Sequence, residues 1–199
     1  AEKEAAQKLI HYGSVLVSQH ADSMGAPTAC ESAGVPNVSY NGSTESACPN
    51  TFIVSSRINW APYLEHCIEA VRDGKTIEAD WTGTLSDNSV LLTDFGQKAT
   101  AEGTADAVEK AKKAIEDGSV HVFDVNTFTV TVTEDKNKNA KVDADGHLTS
   151  YMADVDTDAA YTPDKEVVSD GYFHESEYRA APYFDVQIDG INLLDVNFG

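Results

Sequence analysis

FIVSSRINWAPYLEHCIEAVRDGK, residues Phe52 to Lys75, places a strand and a helix back to back. Phe52-Ile53-Val54 is a short apolar run of the kind buried on both faces of a sheet. From Trp60 the period changes: Trp60, Leu64, Cys67, Ile68 and Val71 fall on one helical stripe, and Gly74 stops the helix. The stripe predicts a helix packed against a sheet. A strand feeding directly into a helix is the repeating unit of α/β proteins.

The same unit recurs on both sides. Upstream, Ala5, Ala6, Leu9 and Ile10 give a short segment an apolar helical face that ends at Gly13, and Val15-Leu16-Val17 follows as a doubly buried strand. A polar turn from Ser18 to Ser23 then leads into a helix running toward Ala33, closed by Gly34, and Val35 to Tyr40 returns as a strand. Downstream, Val90-Leu91-Leu92 is a further strand. Val108, Ala111 and Ile115 mark a helix ending at Gly118, with Val120 to Phe123 as the next strand. This alternation predicts an α/β lobe over residues 1–124, built on a parallel sheet whose strand carboxyl ends line the ligand crevice. Past Asp124 the pattern changes. Thr127 to Thr133 alternates with period two, as a half-buried strand does, and the remainder is acidic and rich in Tyr, Phe and Asp. Residues 125–199 are expected to form a β-rich segment of antiparallel hairpins that completes or decorates the lobe.

Lys and Arg total 14 against 33 Asp and Glu, a formal net charge of -19. A field of that sign repels phosphate backbones and anionic headgroups, which argues against nucleic-acid or membrane-surface partners. No run approaches the roughly 20 apolar residues of a membrane span, and no signal peptide is present. The opening AEKEAAQKLI reads as the middle of a helix, so a processed or truncated chain is expected. Cys30, Cys48 and Cys67 lack zinc-site or redox spacing; Cys30 and Cys48 are equally compatible with a disulfide and with buried free thiols.

The ordered series GSVLVSQHADS (Gly13 to Ser23), GVPNVSY (Gly34 to Tyr40), FIVSSRINWAPYLEHCIEAVRDGK, DNSVLLTDFG (Asp87 to Gly96) and KKAIEDGSVHVFD (Lys112 to Asp124) resembles the basic membrane protein family of substrate-binding lipoproteins, which includes the purine nucleoside receptor of spirochaetes. APYFDVQIDGI (Ala181 to Ile191) is similar to that family's closing strand. The resemblance covers about Glu2 to Asp124 and rests on the series, since no single motif is diagnostic. It implies a type I periplasmic-binding fold of two hinged α/β lobes, an extracytoplasmic, lipid-anchored protein, an ABC permease as partner, and purine nucleosides or related small solutes as ligands. Complete members are longer. The chain is therefore expected to hold one wall of the cleft, to bind ligand weakly alone, and to dimerise through an uncovered sheet edge.

Candidate ligand contacts lie where strands end. His20, Asp22 and Ser23 occupy a strand-to-helix turn, where polar groups meet ligands or cap the helix. The resemblance implies that this turn faces the cleft. Asn41 and Gly42 end the next strand, either as ligand contacts or as an Asn-Gly turn. Relatives place an acid near Asn41 to hold ribose hydroxyls, and a neutral amide grips a diol less strongly. Ser56, Asn59 and Trp60 form the next junction; Asn59 falls near where relatives carry a lysine. Trp60, like Trp81, either stacks on a planar ring or packs in the core.

Oxygen donors Asp135, Asn137, Asn139 and Asp143 match the start of a calcium loop, yet Ala140 stands where the sharp-turn glycine would be and Gly146 where the bidentate glutamate would be. A solvated hairpin tip is the simpler expectation. No G-x-S-x-G elbow, phosphate-binding loop or H-E-x-x-H occurs, so neither a cofactor nor catalysis is expected. A ligand-sensing module is the alternative, and a nucleoside-hydrolase-like enzyme a weaker one.

Overall fold

The computed structural model describes residues 1–156, 159–175, 177–178 and 186–194. The chain divides into two compact units, Ala1–Glu116 and Asp117–Gly199.

The first unit is α/β. Helix α1 (Glu2–His11) is followed by β1 (Val17–Ser18), α2 (Gly25–Ala33), β2 (Asn37–Tyr40), β3 (Phe52–Ile58), α3 (Ala61–Arg72), β4 (Val90–Leu92) and α4 (Thr104–Glu116). One sheet has the order β1-β2-β3-β4. Strands β1, β2 and β3 run parallel, with Val17 opposite Asn37 and Tyr40 opposite Ser56. Helices α1 and α2 enclose a small core of Ala6, Val17, Ala26, Ala29 and Cys30, to which Ile10 and Val35 add. Small side chains let these two helices approach closely. Gly34 ends α2 at φ 70°, a conformation that glycine adopts without the Cβ clash.

Strand β4 departs from the expected parallel arrangement: it lies antiparallel to β3, with Ile58 opposite Val90 and Ser56 opposite Leu92. The cause is local. After α3 the chain returns to the carboxyl end of β3, where Asn59 N donates to Ser89 O at 2.8 Å and Asn59 Nδ2 to Asn88 O at 3.0 Å. Asp87 tightens that turn by accepting from Thr84 N at 3.0 Å and Ser89 N at 2.9 Å. Chain that enters the sheet at the end of its neighbour must run backwards along it.

Two apolar readings are overturned. The Val15-Leu16-Val17 strand shrinks to Val17–Ser18, and Val15 is 83% exposed, because only Val17 reaches the α1–α2 core. The α3 stripe faces solvent: Trp60 is 60% exposed, Leu64 54%, and Ile68 and Val71 each 66%. Only Ala70 of α3 is buried, so helical periodicity located the helix without locating a partner for its face.

The sheet's interior is unusually polar. Asn37, Ser39, Thr44, Thr51 and Ser55 are buried, and Asn37 Nδ2 donates to Thr51 O at 3.2 Å and Thr51 Oγ1 at 3.1 Å. Cys30 and Cys48 are fully buried free thiols; Cys48 Sγ donates to Thr44 O at 3.2 Å. Burial first, and the neighbouring Cys48 second, push the Cys30 thiol up from its ordinary value.

The second unit is β-rich. Strands β5 (Ala140–Val142), β6 (Leu148–Ala153) and β7 (Lys165–Glu166) form an antiparallel sheet, and β8 (Val168–Ser169) pairs with β9 (Tyr172–Phe173) as a hairpin. Val130, Leu148, Tyr151, Val167 and Phe173 build its core. Antiparallel hairpins were expected here; two strands were misplaced. Val120 to Phe123 is not a strand, and only Asp124 makes an isolated bridge, to Tyr172. In Thr127 to Thr133 Val130 is buried but Val132 is 38% exposed, and the segment pairs with no strand among the described residues. A 3-10 turn takes Val125–Thr127, and the rest is held by a turn and by side chains. Val130 N donates to Gly146 O at 2.9 Å, Thr131 N to Asp189 Oδ1 at 3.1 Å, and Asn137 Nδ2 to Thr131 O at 2.9 Å. Of the proposed closing strand, residues 181–185 lie outside the described residues, and 186–191 carry no strand but a turn at Asp189–Gly190.

Phe52 is 1% exposed, so Phe52→Ala is expected to cost about 3–5 kcal/mol in urea unfolding. Ile68→Gln, on the open face of α3, should change stability by less than about 0.5 kcal/mol. Titration of the native protein with a thiol reagent should modify the half-buried Cys67 quickly, and Cys30 and Cys48 only after denaturant is added.

Candidate functional site

Three parallel strands bring their carboxyl ends to one edge, and several of the predicted residues meet there. His20 follows β1 and stacks on Tyr40, the last residue of β2, with ring centroids 4.0 Å apart and planes 16° from parallel. Asn41 continues β2 in a left-handed conformation, φ 71°, which asparagine tolerates better than most residues. Its N–H donates to Ser56 O of β3 at 2.6 Å, and its Nδ2 donates to Asp22 Oδ1 at 3.3 Å. His20, Asp22, Asn41 and Ser56 are thus joined across three strands, with the His20, Asp22 and Asn41 side chains exposed.

The turn beneath them is braced. Gln19 Nε2 donates to Ser23 O at 3.1 Å, and Ser39 Oγ lies 2.9 Å from Thr44 Oγ1. Ser23 Oγ accepts from Gly25 N at 3.3 Å, which is a local turn bond at the start of α2. Gly42 N donates to Tyr40 O at 2.9 Å, closing a tight turn after the strand. Ser23 and Gly42 therefore shape the edge, while His20, Asp22 and Asn41 present functional groups.

Asn59 and Trp60 belong to a second feature, a pocket of about 500 Å³ at the end of β3. It lies between the start of α3 and the loop that returns to β4. Trp60, Tyr63, Glu78, Asp80 and Trp81 line it, together with Ser89 and Val90. Trp60 and Tyr63 stand at 67° with centroids 6.4 Å apart, and Tyr63 and Trp81 at 45° and 5.4 Å. Asn59 shapes the pocket through its bonds to Asn88 and Ser89, and its Oδ1 accepts from Ala61 N at 3.3 Å. The loop passes close: a Cβ on Gly83 would fall 2.3 Å from Ser89 Cβ and 2.8 Å from the Trp81 ring. A hydrogen bond with Cys67 raises the Tyr63 hydroxyl above the usual tyrosine range, helped by the Cys67 charge and by burial. Tyr63 therefore offers a neutral ring.

Tyr40, Tyr63, Glu78 and Asp80 were not singled out from the sequence. Tyr63 could have been, since it sits three residues after Trp60 on one helical turn. Glu78 and Asp80 carry no signal in so acidic a chain.

The four calcium-loop candidates occupy the second unit, and the side chains of Asn137 and Asp143 serve the backbone. Asn137 is buried; its Nδ2 also donates to Gln187 O at 3.0 Å, and its Oδ1 accepts from Gln187 N at 2.7 Å. Asn139 Nδ2 donates to Tyr161 Oη at 2.5 Å, and Asp143 Oδ1 accepts from Asp145 N and His147 N, each at 2.9 Å. Asp135 is exposed. Among the described residues no group of three or more His, Cys, Asp or Glu side chains is arranged to hold a metal ion.

Two histidines of this unit are engaged. Ser169 Oγ lies 2.9 Å from His174 Nε2, and His174 Nδ1 lies 2.6 Å from Glu177 Oε1. The order is that of a serine nucleophile chain, but Asp170 Oδ2 accepts from the same hydroxyl at 3.4 Å. A carboxylate there opposes the negative charge an oxyanion would develop. The arrangement braces the β8–β9 hairpin. His147 Nδ1 points at Phe128 O at 2.9 Å and Val125 O at 3.0 Å. The Phe128 carbonyl raises its pKa most; burial opposes this, and Val125 O, Asp143 and Asp145 add to the rise.

Comparison with known proteins adds one structural likeness. No family model and no curated protein matches the chain. Among solved structures, a solute-binding protein of an ABC transporter system from Conexibacter woesei DSM 14684 is similar over 61% of this chain, with 18% identity and a TM-score of 0.49. The matched region makes up 41% of that protein, so this chain spans well under half of its length. The coordinates define the class themselves: α/β, with a parallel three-strand edge and a separate β-rich C-terminal unit. Among the described residues no helix is long and apolar enough to cross a membrane.

A raised histidine pKa stabilises the protonated folded form. The stabilisation from His147 is complete below the ordinary histidine value of about 6.5 and is lost as pH rises through the raised value. The stability advantage of the wild type over His147→Gln, read from urea midpoints, should therefore be larger at pH 5 than at pH 9.

Proposed function

We propose that the chain is the ligand-contacting part of an extracytoplasmic solute-binding protein of the type I periplasmic-binding class, delivering a small solute to an ABC permease. The observation that carries this reading is the meeting of His20, Asp22 and Asn41 at adjacent parallel strand ends, joined by the Asn41–Asp22 hydrogen bond. Open α/β sheets place ligands at that edge. The role is binding, because exposed polar side chains are gathered there without a nucleophile paired to a base.

The solute fits a purine nucleoside. The stacked His20–Tyr40 pair offers a planar surface for a base. Relatives supply an acid at the end of the second strand to hold ribose hydroxyls. Here Asp22 supplies it from the neighbouring turn, and Asn41 orients it. An aspartate at position 41 would set two carboxylates against each other, which accounts for the amide. Residues 1–124 would form the α/β lobe of such a receptor and 125–199 its β-rich completion, with a lipid anchor in the whole protein and self-association through the open sheet edge.

Calorimetric titration of the protein with both lobes present, against adenosine, guanosine, inosine and their bases, tests this. Saturable binding is expected, weakened about ten-fold in Asp22→Asn, while residues 1–199 tested alone are expected to bind more weakly, since a two-lobed cleft closes on its ligand from both sides. Silence across the panel would sink the nucleoside reading. A gene position beside a permease and an ATPase supports transport; fusion to a signalling domain would instead assign the same site to a sensor.

A further inference from the structure

The pocket beside β3 differs in chemistry from the His20–Asp22–Asn41 edge, and we infer that it is a binding site for an organic ammonium ion, a quaternary or tertiary amine head of choline size. This goes beyond the transport reading and does not depend on it. Every lining residue belongs to the first unit, and none of His20, Asp22 and Asn41 is among them.

Three features select the ligand class. The volume, about 500 Å³, lies within the range of small-molecule sites. The walls are aromatic: Trp60, Tyr63 and Trp81 line one space with planes at 67° and 45° to their neighbours. Rings so inclined do not form the parallel-sided slot a flat base requires. They do present negative π faces around a compact cation, the geometry that attracts alkylated ammonium groups. The charged side chains on the lining are Glu78 and Asp80, both negative, and the lining holds no lysine or arginine. An anion is repelled there, and a neutral solute can use the carboxylates only as hydrogen-bond acceptors, whereas a cation also gains their charge. Behind the wall, the His66 ring stacks on Trp81 with centroids 6.2 Å apart, and His66 Nε2 lies 3.7 Å from Glu78 Oε2, so both the indole and the carboxylate are backed. The close packing of Gly83 on Trp81 holds the loop in place.

The chain has two tryptophans, and both line this pocket, so tryptophan fluorescence, excited selectively over the eight tyrosines, reports on this site. The experiment titrates the 199-residue chain with choline and tetramethylammonium, and with the neutral isostere 3,3-dimethylbutan-1-ol, at pH 8 in low and high salt. A saturable fluorescence change is expected with both cations and not with the alcohol, and salt should weaken it. Glu78→Gln combined with Asp80→Asn should weaken binding about ten-fold. Both side chains are exposed, so this variant should fold, and its circular dichroism and urea midpoint check that. Trp60→Leu, at a position 60% exposed, should weaken binding as well. The inference is overturned by equal binding of the alcohol, by an affinity unchanged in the folded double variant, or by the absence of saturation. Displacement of choline by adenosine would also overturn it, by making the pocket part of the nucleoside site. Failure here leaves the nucleoside reading untouched, because that reading is tested by the Asp22→Asn variant, and Asp22 does not line this pocket.

Discussion

The bonds from Asn59 to the 88–89 turn are the constraint on which the first unit depends. Asn59 ends β3, begins α3 through its bond to Ala61 N, and receives the returning chain through Asn88 O and Ser89 O. Because the chain comes back to the end of β3 and not to its beginning, β4 must run antiparallel. The loop that makes this return becomes the outer wall of the aromatic pocket. Asp87 holds the turn, and hydrogen bonds from Ser89 and Thr84 keep its carboxyl below the usual carboxylate range. A carboxylate that accepts from two backbone N–H groups is a fixed corner, and the pocket takes its shape from that corner.

The ends of β1 and β2 are governed by polarity. Few large apolar side chains are buried in this unit, and Asn37, Ser39, Thr51 and Ser55 take interior positions that leucine or valine hold in many sheets. Asn37 bonds Thr51 and Ser39 bonds Thr44, which ties β2 to the 44–51 turn, while the buried Ser55 hydroxyl has no hydrogen-bond partner among the described residues. Above these bonds, Asn41 joins Asp22 through its amide and Ser56 O through its N–H. A site at the end of such a sheet is preorganised from below, since the positions of its exposed groups follow from bonds already made within the fold.

Much of this was legible in the residues. Gly13, Gly34 and Gly74 end α1, α2 and α3 as read, and the polar turns holding His20, Asp22 and Asn41 lie at strand ends as read. The errors share a cause. Periodicity in Val15–Val17, in the Trp60–Val71 stripe and in Thr127–Thr133 records which side chains are apolar, not which surface covers them. Val15 and Ile68 stand in solvent, and the Thr127–Thr133 segment is completed by Asp189, Asn137 and Gly146, residues distant in sequence or on a turn. Strand pairing is a long-range property, and local pattern carries no record of the partner.

What the sequence determined by itself is the set of local events: helix starts and stops, the strand-to-helix junctions, the polar character of the strand ends, and the acidity of the chain. These follow from backbone conformation and from charge, which neighbouring residues settle. Tertiary structure alone decided the direction of β4, the pairing of Asp22 with Asn41, and the gathering of Glu78, Asp80 and Trp81 with Trp60 and Tyr63. Each of these brings together residues well separated in sequence, and their approach is set by where the chain is tied back to the sheet. No residue announces such a meeting; the bonds at Asn59 and Asn41 create it.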